Sequence, residues 1–213
     1  MATLHPCRPY RLPLITTLVL AASAAATAQA QTSAPPQARP SPLTATGVGG
    51  CIYAHVSDTV RAQAVREAAA GQGFSDAVTG EIQRLAPQCS SRVFTPGDRV
   101  LLAASLAVFL RNGAAERIGG SSGLSQREVD EAWRAASPDD QTPYLATARD
   151  YLDGHGPLRK PEPAALQPMR AHLKPRGAFS AKAQEDLLSY FTATALGEVA
   201  EERMASQAPR TAG

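Results

Sequence analysis

The sequence predicts an all-α fold, a compact multi-helix bundle of about five to seven helices with irregular connections. Hydrophobic residues make up 44% of the chain but aromatic residues only 5%. Much of the apolar content is alanine, which is the best helix former and has a small side chain. Helix-start and helix-stop motifs recur along the chain, whereas residues 91–95 are the only short strand-like segment. We therefore expect helices that pack closely around one core.

The sequence predicts short helices in the first part of this core. Apolar residues at a four-residue spacing indicate a helix over residues 52–70, which the polar pair beginning at Ser57 either breaks or restarts. Ser75 is a good N-cap for a helix over residues 76–86, and Pro87 is expected to end it because proline removes a backbone donor.

A buried central helix is expected next. In the Thr-Pro-Gly-Asp segment, Thr95 is predicted to cap the helix and Pro96 to take its first position. The helix should end at Arg111, because the Asn112-Gly113 pair that follows is typical of a helix stop. Its apolar residues cover nearly every face, which is typical of the centre of a bundle.

Four more helices are predicted in the second half of the chain. Ser125 and Glu128 fit a capping box, in which each residue satisfies a free backbone N–H of the helix start. The proline-rich residues 155–178 leave room for one short helix. The expected helices cover residues 125–136, 137–154, 164–173 and 180–206.

Residues 1–30 have the three-part pattern of a cleavable secretory signal peptide. Arg8 and Arg11 precede an apolar stretch, and Ala30 completes an A-x-A cleavage site. The alternative is an uncleaved membrane anchor, which needs about 20 apolar residues, whereas this run holds about 15. The sequence therefore predicts an exported protein, periplasmic or secreted, with no transmembrane segment in the mature chain.

The predicted mature chain has three parts. Residues 31–50 are a linker rich in proline, glycine and alanine, residues 51–207 form the helical domain, and residues 208–213 are a disordered tail. A loose lipidation box ends at Cys51, but this cysteine lies roughly 25 residues beyond the apolar stretch that should precede it directly. We therefore do not expect lipidation.

Cleavage removes Cys7 and leaves Cys51 and Cys89. An even number of cysteines in an exported protein predicts a disulfide, and a loop of this size would contribute about 4 kcal/mol. A redox or metal-binding pair is the alternative, but the sequence has no C-x-x-C motif and no histidine-cysteine cluster along the chain.

The chain carries a formal net charge of +2. Both excess charges come from Arg8 and Arg11, so the mature chain is neutral. A general nucleic-acid binder would carry an excess of positive charge, and this class is therefore disfavoured.

The glycine-rich residues 119–123 match G-x-S-x-G, the nucleophile elbow of α/β-hydrolases, with Ser121 at its centre. His155 or His172 would follow as the base. That chemistry requires a strand-to-helix turn, whereas the preceding segment reads as helical, so a flexible loop is the simpler interpretation. A phosphate cradle is the other alternative, although the lysine of a P-loop is missing.

No metal or cofactor site is predicted. The histidines of the mature chain do not follow a metal-binding spacing, although His55 and Asp58 share one helix face and would make half a site. We assign no catalytic residue and no cofactor.

The C-terminal third contains a charge asymmetry. Residues 155–178 carry a net charge of +4, and residues 180–207 carry a net charge of −3. Either the two segments face each other or are simply solvated, or the basic segment touches an anionic surface such as lipid headgroups, a glycan or an acidic partner. The residues of that possible contact are Arg159, Lys160, Arg170, Lys174 and Arg176.

These observations favour a non-enzymatic exported protein that binds a protein partner or the cell-envelope surface. Two alternatives stay open: a small hydrolase centred on Ser121, and a carrier of a small apolar ligand within the bundle. The carrier predicts a cavity of about 300 Å3 or more.

Exported protein is expected to begin at Gln31, or at Gln29 if the neighbouring Ala-Thr-Ala site is cut instead. Intact-mass spectrometry of material collected outside the cytoplasm tests this. A mass that still includes residues 1–28 would contradict the predicted cleavage.

Overall fold

A computed structural model describes residues 47–71, 73–175 and 179–207, and the regular secondary structure within these ranges consists of helices. The all-α prediction is confirmed, and the number of helices in the described ranges is eight, one more than predicted. The predicted signal peptide, most of the linker and the tail lie outside the described residues. The helices are α1 (Val48–His55), α2 (Asp58–Ala70), α3 (Asp76–Cys89), α4 (Arg99–Ser122), α5 (Gln126–Ala135), α6 (Pro138–Leu152), α7 (Leu166–Arg170) and α8 (Ala181–Ser206), with a 3-10 turn at Pro163–Ala165.

The additional helix arises from a break between α1 and α2. Val56 has an extended backbone, and the Ser57 hydroxyl accepts a hydrogen bond from the Val60 N–H at 3.4 Å. Because Ser57 caps a new helix, the predicted stretch of residues 52–70 divides in two. The first helix also begins at Val48, within the predicted linker.

Two predicted helix stops are wrong. Helix α3 continues through Pro87 to Cys89, and beyond the proline the Ser90 N–H still donates to the Ala86 carbonyl oxygen at 3.0 Å. Helix α4 continues through Gly113 to Ser122. A Cβ at Gly113 would lie 2.7 Å from the Val65 side chain, so this glycine allows α2 to pack closely against α4.

The predicted start of α4 is three residues too early. The Asp98 N–H donates to the Thr95 carbonyl at 3.0 Å, and Gly97 has a φ of 75°, so these residues form a tight turn. Asp98 is the N-cap instead of Thr95, and its carboxylate accepts hydrogen bonds from the N–H groups of Val100 and Leu101.

Helices α4 and α8 form the centre of the fold and pack against each other more extensively than any other pair of helices. Arg117 contacts Asp186 near one end, and Ala107 lies against Gly197 further along, so the two helices are antiparallel. Helices α1 and α2 pack on α4, α6 packs on α8, and α3 packs against α1 and α2.

Small residues set the spacing of these helices. Gly49 of α1 lies so close to α4 that a Cβ there would run into the backbone carbonyl of Ala104. Helices α1 and α4 therefore pack closely, as the alanine-rich composition predicts, but the small residue at this contact is a glycine.

A disulfide joins Cys51 of α1 to Cys89 at the end of α3, across 38 positions of the chain. It is the pair predicted from the cysteine count. None of the helices in the described part of the chain is long and apolar enough to cross a membrane.

Gly49→Ala should lower the free energy of unfolding by about 1–3 kcal/mol, because the new methyl group must displace the α4 backbone. Gly80 is the matched control: it lies within α3 with nothing near its Cβ position. Gly80→Ala should therefore raise stability by about 0.5–1 kcal/mol. Urea unfolding of both variants tests the contrast, and equal effects would contradict it.

Candidate ligand-binding groove

An open groove of about 890 Å3 lies between α2, α4, α8 and the connection that follows α6. Helix α4 contributes Arg99, Leu106, Leu110 and Arg117, whose spacing places them on one face. Since an α-helix rises 1.5 Å per residue, this face spans roughly 27 Å. The groove is therefore elongated.

The floor of the groove is largely apolar. Leu106 is 7% exposed and Thr192 is 2% exposed, and Ala68 of α2 is buried beside them. Leu110 and Leu158 are half-buried and extend this surface towards solvent. An apolar chain placed here would be shielded from water on one side.

Cationic side chains predominate around this floor. Five of them line the groove against two carboxylates, which leaves an excess of three positive charges. The cations are Arg99, Arg117, Arg159, Lys160 and Lys182, and the carboxylates belong to Glu185 and Asp186.

Both carboxylates are already engaged by neighbouring cations. Arg117 Nε donates to Asp186 Oδ1 at 2.6 Å, and Lys182 Nζ lies 3.7 Å from Asp186 Oδ2. Lys160 Nζ donates to Glu185 Oε1 at 2.7 Å, and this hydrogen bond, together with the lysine charge, lowers the pKa of Glu185. Neither carboxylate is left to compensate the remaining arginines.

Two arginines of the groove keep their charge uncompensated. Arg159 is exposed and has no ion pair or hydrogen bond within the described ranges. Arg99 donates to the Tyr151 carbonyl oxygen at 3.1 Å and lies 5.7 Å from the centre of the Tyr151 ring. A carbonyl and an aromatic ring leave the full positive charge of Arg99 available to a ligand.

A buried polar network holds the two long walls of the groove together. Arg111 of α4 donates from Nε to the Tyr190 hydroxyl at 2.9 Å and from its terminal nitrogen to Asp130 Oδ1 at 2.5 Å. The Tyr190 hydroxyl donates to the same Asp130 oxygen, and burial raises the pKa of Tyr190, so the hydroxyl keeps its proton. The network joins α4, α5 and α8.

The structure separates the basic residues predicted to contact an anionic surface. Arg159 and Lys160 line the groove, and Lys160 is paired with Glu185 of the acidic segment. Arg170 lies 4.9 Å from the centre of the Phe179 ring, and Lys174 is exposed. Arg176 lies outside the described residues.

The G-x-S-x-G segment forms the last turn and cap of α4. Ser121 lies in this turn, with its hydroxyl 3.5 Å from the carbonyl oxygen of Ile118 in the same helix. The described residues contain no strand that could form a nucleophile elbow. A helix C-terminus presents free carbonyl groups, which also disfavours a phosphate at this position.

His155, one of the two histidines considered as the base, is exposed, and its Nδ1 lies 3.8 Å from Asp150 Oδ1.

His55 has a different neighbour from the one considered in the sequence. Asp58 pairs with Arg61, whereas the His55 imidazole lies beside Cys51, with Nδ1 3.7 Å from Sγ. Folding brings Cys89 to the same place through the disulfide. A cluster of two cysteines and one histidine therefore exists in space although it is absent along the chain.

Arg99, Arg117 and Lys182 line the groove but were not predicted as site residues from the sequence. The expected stop at Asn112-Gly113 hid the signal, because Arg99 and Arg117 share a face only when α4 is read as one helix. Lys182 lies in the first turn of α8, and only the packing of α8 against α4 places it in the same groove as Arg117.

No protein-family model, curated protein or solved structure matches the chain. The function must therefore be inferred from the groove and from the residues that position it.

Two tyrosine substitutions should have different effects on the free energy of unfolding. Tyr190→Phe removes the hydroxyl that bridges Arg111 and Asp130, and should cost about 1–3 kcal/mol because buried charged groups lose a hydrogen bond. The buried Tyr144 hydroxyl has no hydrogen-bond partner among the described residues. Tyr144→Phe should therefore leave stability unchanged or raise it. Denaturant unfolding measures both, and a loss of equal size in each would contradict the proposed role of the network.

Proposed function

We propose that this protein is an exported binding protein without catalytic activity, whose groove holds an anionic amphiphile with one acyl-like chain. The observation that carries the proposal is an elongated apolar floor bordered by arginines that no carboxylate compensates. It combines two expectations from the sequence, contact with an anionic surface and binding of a small apolar ligand, but it places the ligand in an open groove and not within the bundle.

The dimensions of the groove support an extended ligand. Its volume of about 890 Å3 falls within the range of small-molecule sites, roughly 300–1,000 Å3. Its length along α4, roughly 27 Å, exceeds that of a compact ligand such as a single sugar or nucleotide base. An acyl chain can follow the line of Leu106, Leu110 and Leu158 along the floor.

The charges of the groove support a negative headgroup. Glu185 and Asp186 already accept hydrogen bonds from Lys160 and Arg117, so a cationic headgroup would find no free carboxylate there. Arg159 extends into solvent and offers a guanidinium group, which suits carboxylate and phosphate oxygens. Arg99 offers a second positive charge.

The proposed location of the protein fits this ligand. The sequence predicts a signal peptide, and the Cys51–Cys89 disulfide is compatible with an oxidising compartment outside the cytoplasm. Single-chain anionic amphiphiles are constituents and breakdown products of cell envelopes. A binding protein exported to that compartment would meet them there.

Dodecanoate is a suitable probe, and isothermal titration calorimetry on the mature protein is a suitable measurement. Arg159→Glu should weaken dodecanoate binding by about 3- to 10-fold, because it replaces an attractive charge with a repulsive one. Arg149→Glu is the matched control: Arg149 is exposed on α6 and does not line the groove. It should leave the affinity unchanged.

Two further ligands distinguish the alternatives. Dodecyltrimethylammonium has the same chain with a positive headgroup and should bind more weakly than dodecanoate. Equal binding of the two, or equal loss in both arginine variants, would overturn the proposal. An acidic amphipathic peptide that binds through Arg159 while dodecanoate does not would replace the amphiphile with a protein partner.

A further inference from the structure

The cluster of Cys51, His55 and Cys89 lies outside the groove and is not used by the proposed function. Both sulfur atoms and a ring nitrogen of His55 lie within 4.8 Å of one another. The cysteines are half-buried and the histidine is exposed, so the cluster is open to solvent on one side. We propose that reduction of the disulfide converts this cluster into a binding site for Cu(I), with two thiolates and one imidazole as ligands.

The positions of the three residues suit a shared metal ion. Cys51 and His55 are four residues apart on α1 and therefore lie on the same face, and Cys89 comes from the end of α3. Ligand atoms bonded to one metal at about 2.0–2.3 Å lie about 3.5–4 Å apart. The His55 Nδ1 atom is already 3.7 Å from Cys51 Sγ.

A hydrogen bond holds the imidazole in this position. His55 Nδ1 lies 2.8 Å from the Cys51 carbonyl oxygen, which can only accept, so Nδ1 carries the proton. Nδ1 is also the ring nitrogen that lies 3.7 Å from Cys51 Sγ, so binding of Cu(I) at Nδ1 replaces this hydrogen bond and the ring proton moves to Nε2. A neutral imidazole binds metals through either ring nitrogen.

The ligand set selects the metal. Thiolates are soft ligands and favour Cu(I), and imidazole is also a suitable copper ligand. Three protein ligands satisfy a three-coordinate Cu(I) ion without a fourth side chain. In the oxidised protein the sulfur atoms are bonded to each other, so the site exists only after reduction.

Reduction of the disulfide and binding of Cu(I) are two separate steps, and electrons and protons balance in each. A dithiol donor supplies two electrons and two protons to the Cys51–Cys89 disulfide and leaves as its own disulfide. Cu(I) then displaces the two thiol protons and keeps its oxidation state. The product is a bis-thiolate imidazole complex with a net charge of −1.

Packing should keep the cysteines close after reduction. Helices α1 and α3 contact each other directly, and Ile52, Leu85 and Ala86, which lie next to the cysteines or one turn before them, are buried. The two thiols therefore belong to elements that the core positions independently of the disulfide.

The experiment uses the mature protein, reduced with a phosphine, desalted without oxygen and titrated against the Cu(I) complex of a chromophoric chelator. We expect reduced protein to remove one Cu(I) from the chelator and oxidised protein to remove none. His55→Gln should weaken binding by at least about 10-fold, since loss of a direct ligand should cost no less than loss of an outer hydrogen bond. His172→Gln, at an exposed histidine outside the cluster, is the control and should bind as the parent protein does.

Circular dichroism on the same samples covers the case in which reduction loosens the fold. Recovery of helicity on adding Cu(I) to the parent protein, but not to the His55→Gln variant, would support the site, because metal binding is then coupled to folding. Equal Cu(I) binding by parent and His55→Gln proteins would overturn the three-ligand site. Absence of both binding and recovery would overturn the proposal as a whole.

Discussion

The hydrogen bonds among Arg111, Asp130 and Tyr190 fix the two central helices relative to each other. All three residues are buried, with exposed fractions of 6%, 4% and 0%. A buried charge is stable only with its partner present, and removal of one member of such a pair typically costs about 3–5 kcal/mol. The network therefore discourages any sliding of α8 along α4, which would leave the charges buried and unpaired.

The groove depends on this alignment. Arg117 and Asp186 lie one to two turns beyond the network, and their contact links the same two helices at the groove. Because α4 and α8 each supply one line of groove residues, a shift between them would separate the charged pair and break the apolar floor. Stability in the core and the shape of the proposed binding surface thus have a common cause.

Local sequence was sufficient where a helix end depends on its own residues. The capping box of Ser125 is present as predicted, and Ser180 caps α8 through the Ala183 N–H. It was insufficient where packing outweighs a local preference. Gly113 would ordinarily end a helix, but here its missing side chain allows α2 to approach α4, and the helix continues.

The sequence by itself determined the helical class and, to within two residues, the ends of α5, α6 and α8, because composition and capping residues act locally. It also determined the pairing of Cys51 with Cys89, because the predicted mature chain has no third cysteine. Only the tertiary structure decided which charges meet. Arg117 reaches Asp186 across 69 positions of the chain, and the Cys51–His55–Cys89 cluster joins residues of two helices. Such contacts depend on how helices pack, and neither periodicity nor motif spacing along one chain specifies that packing.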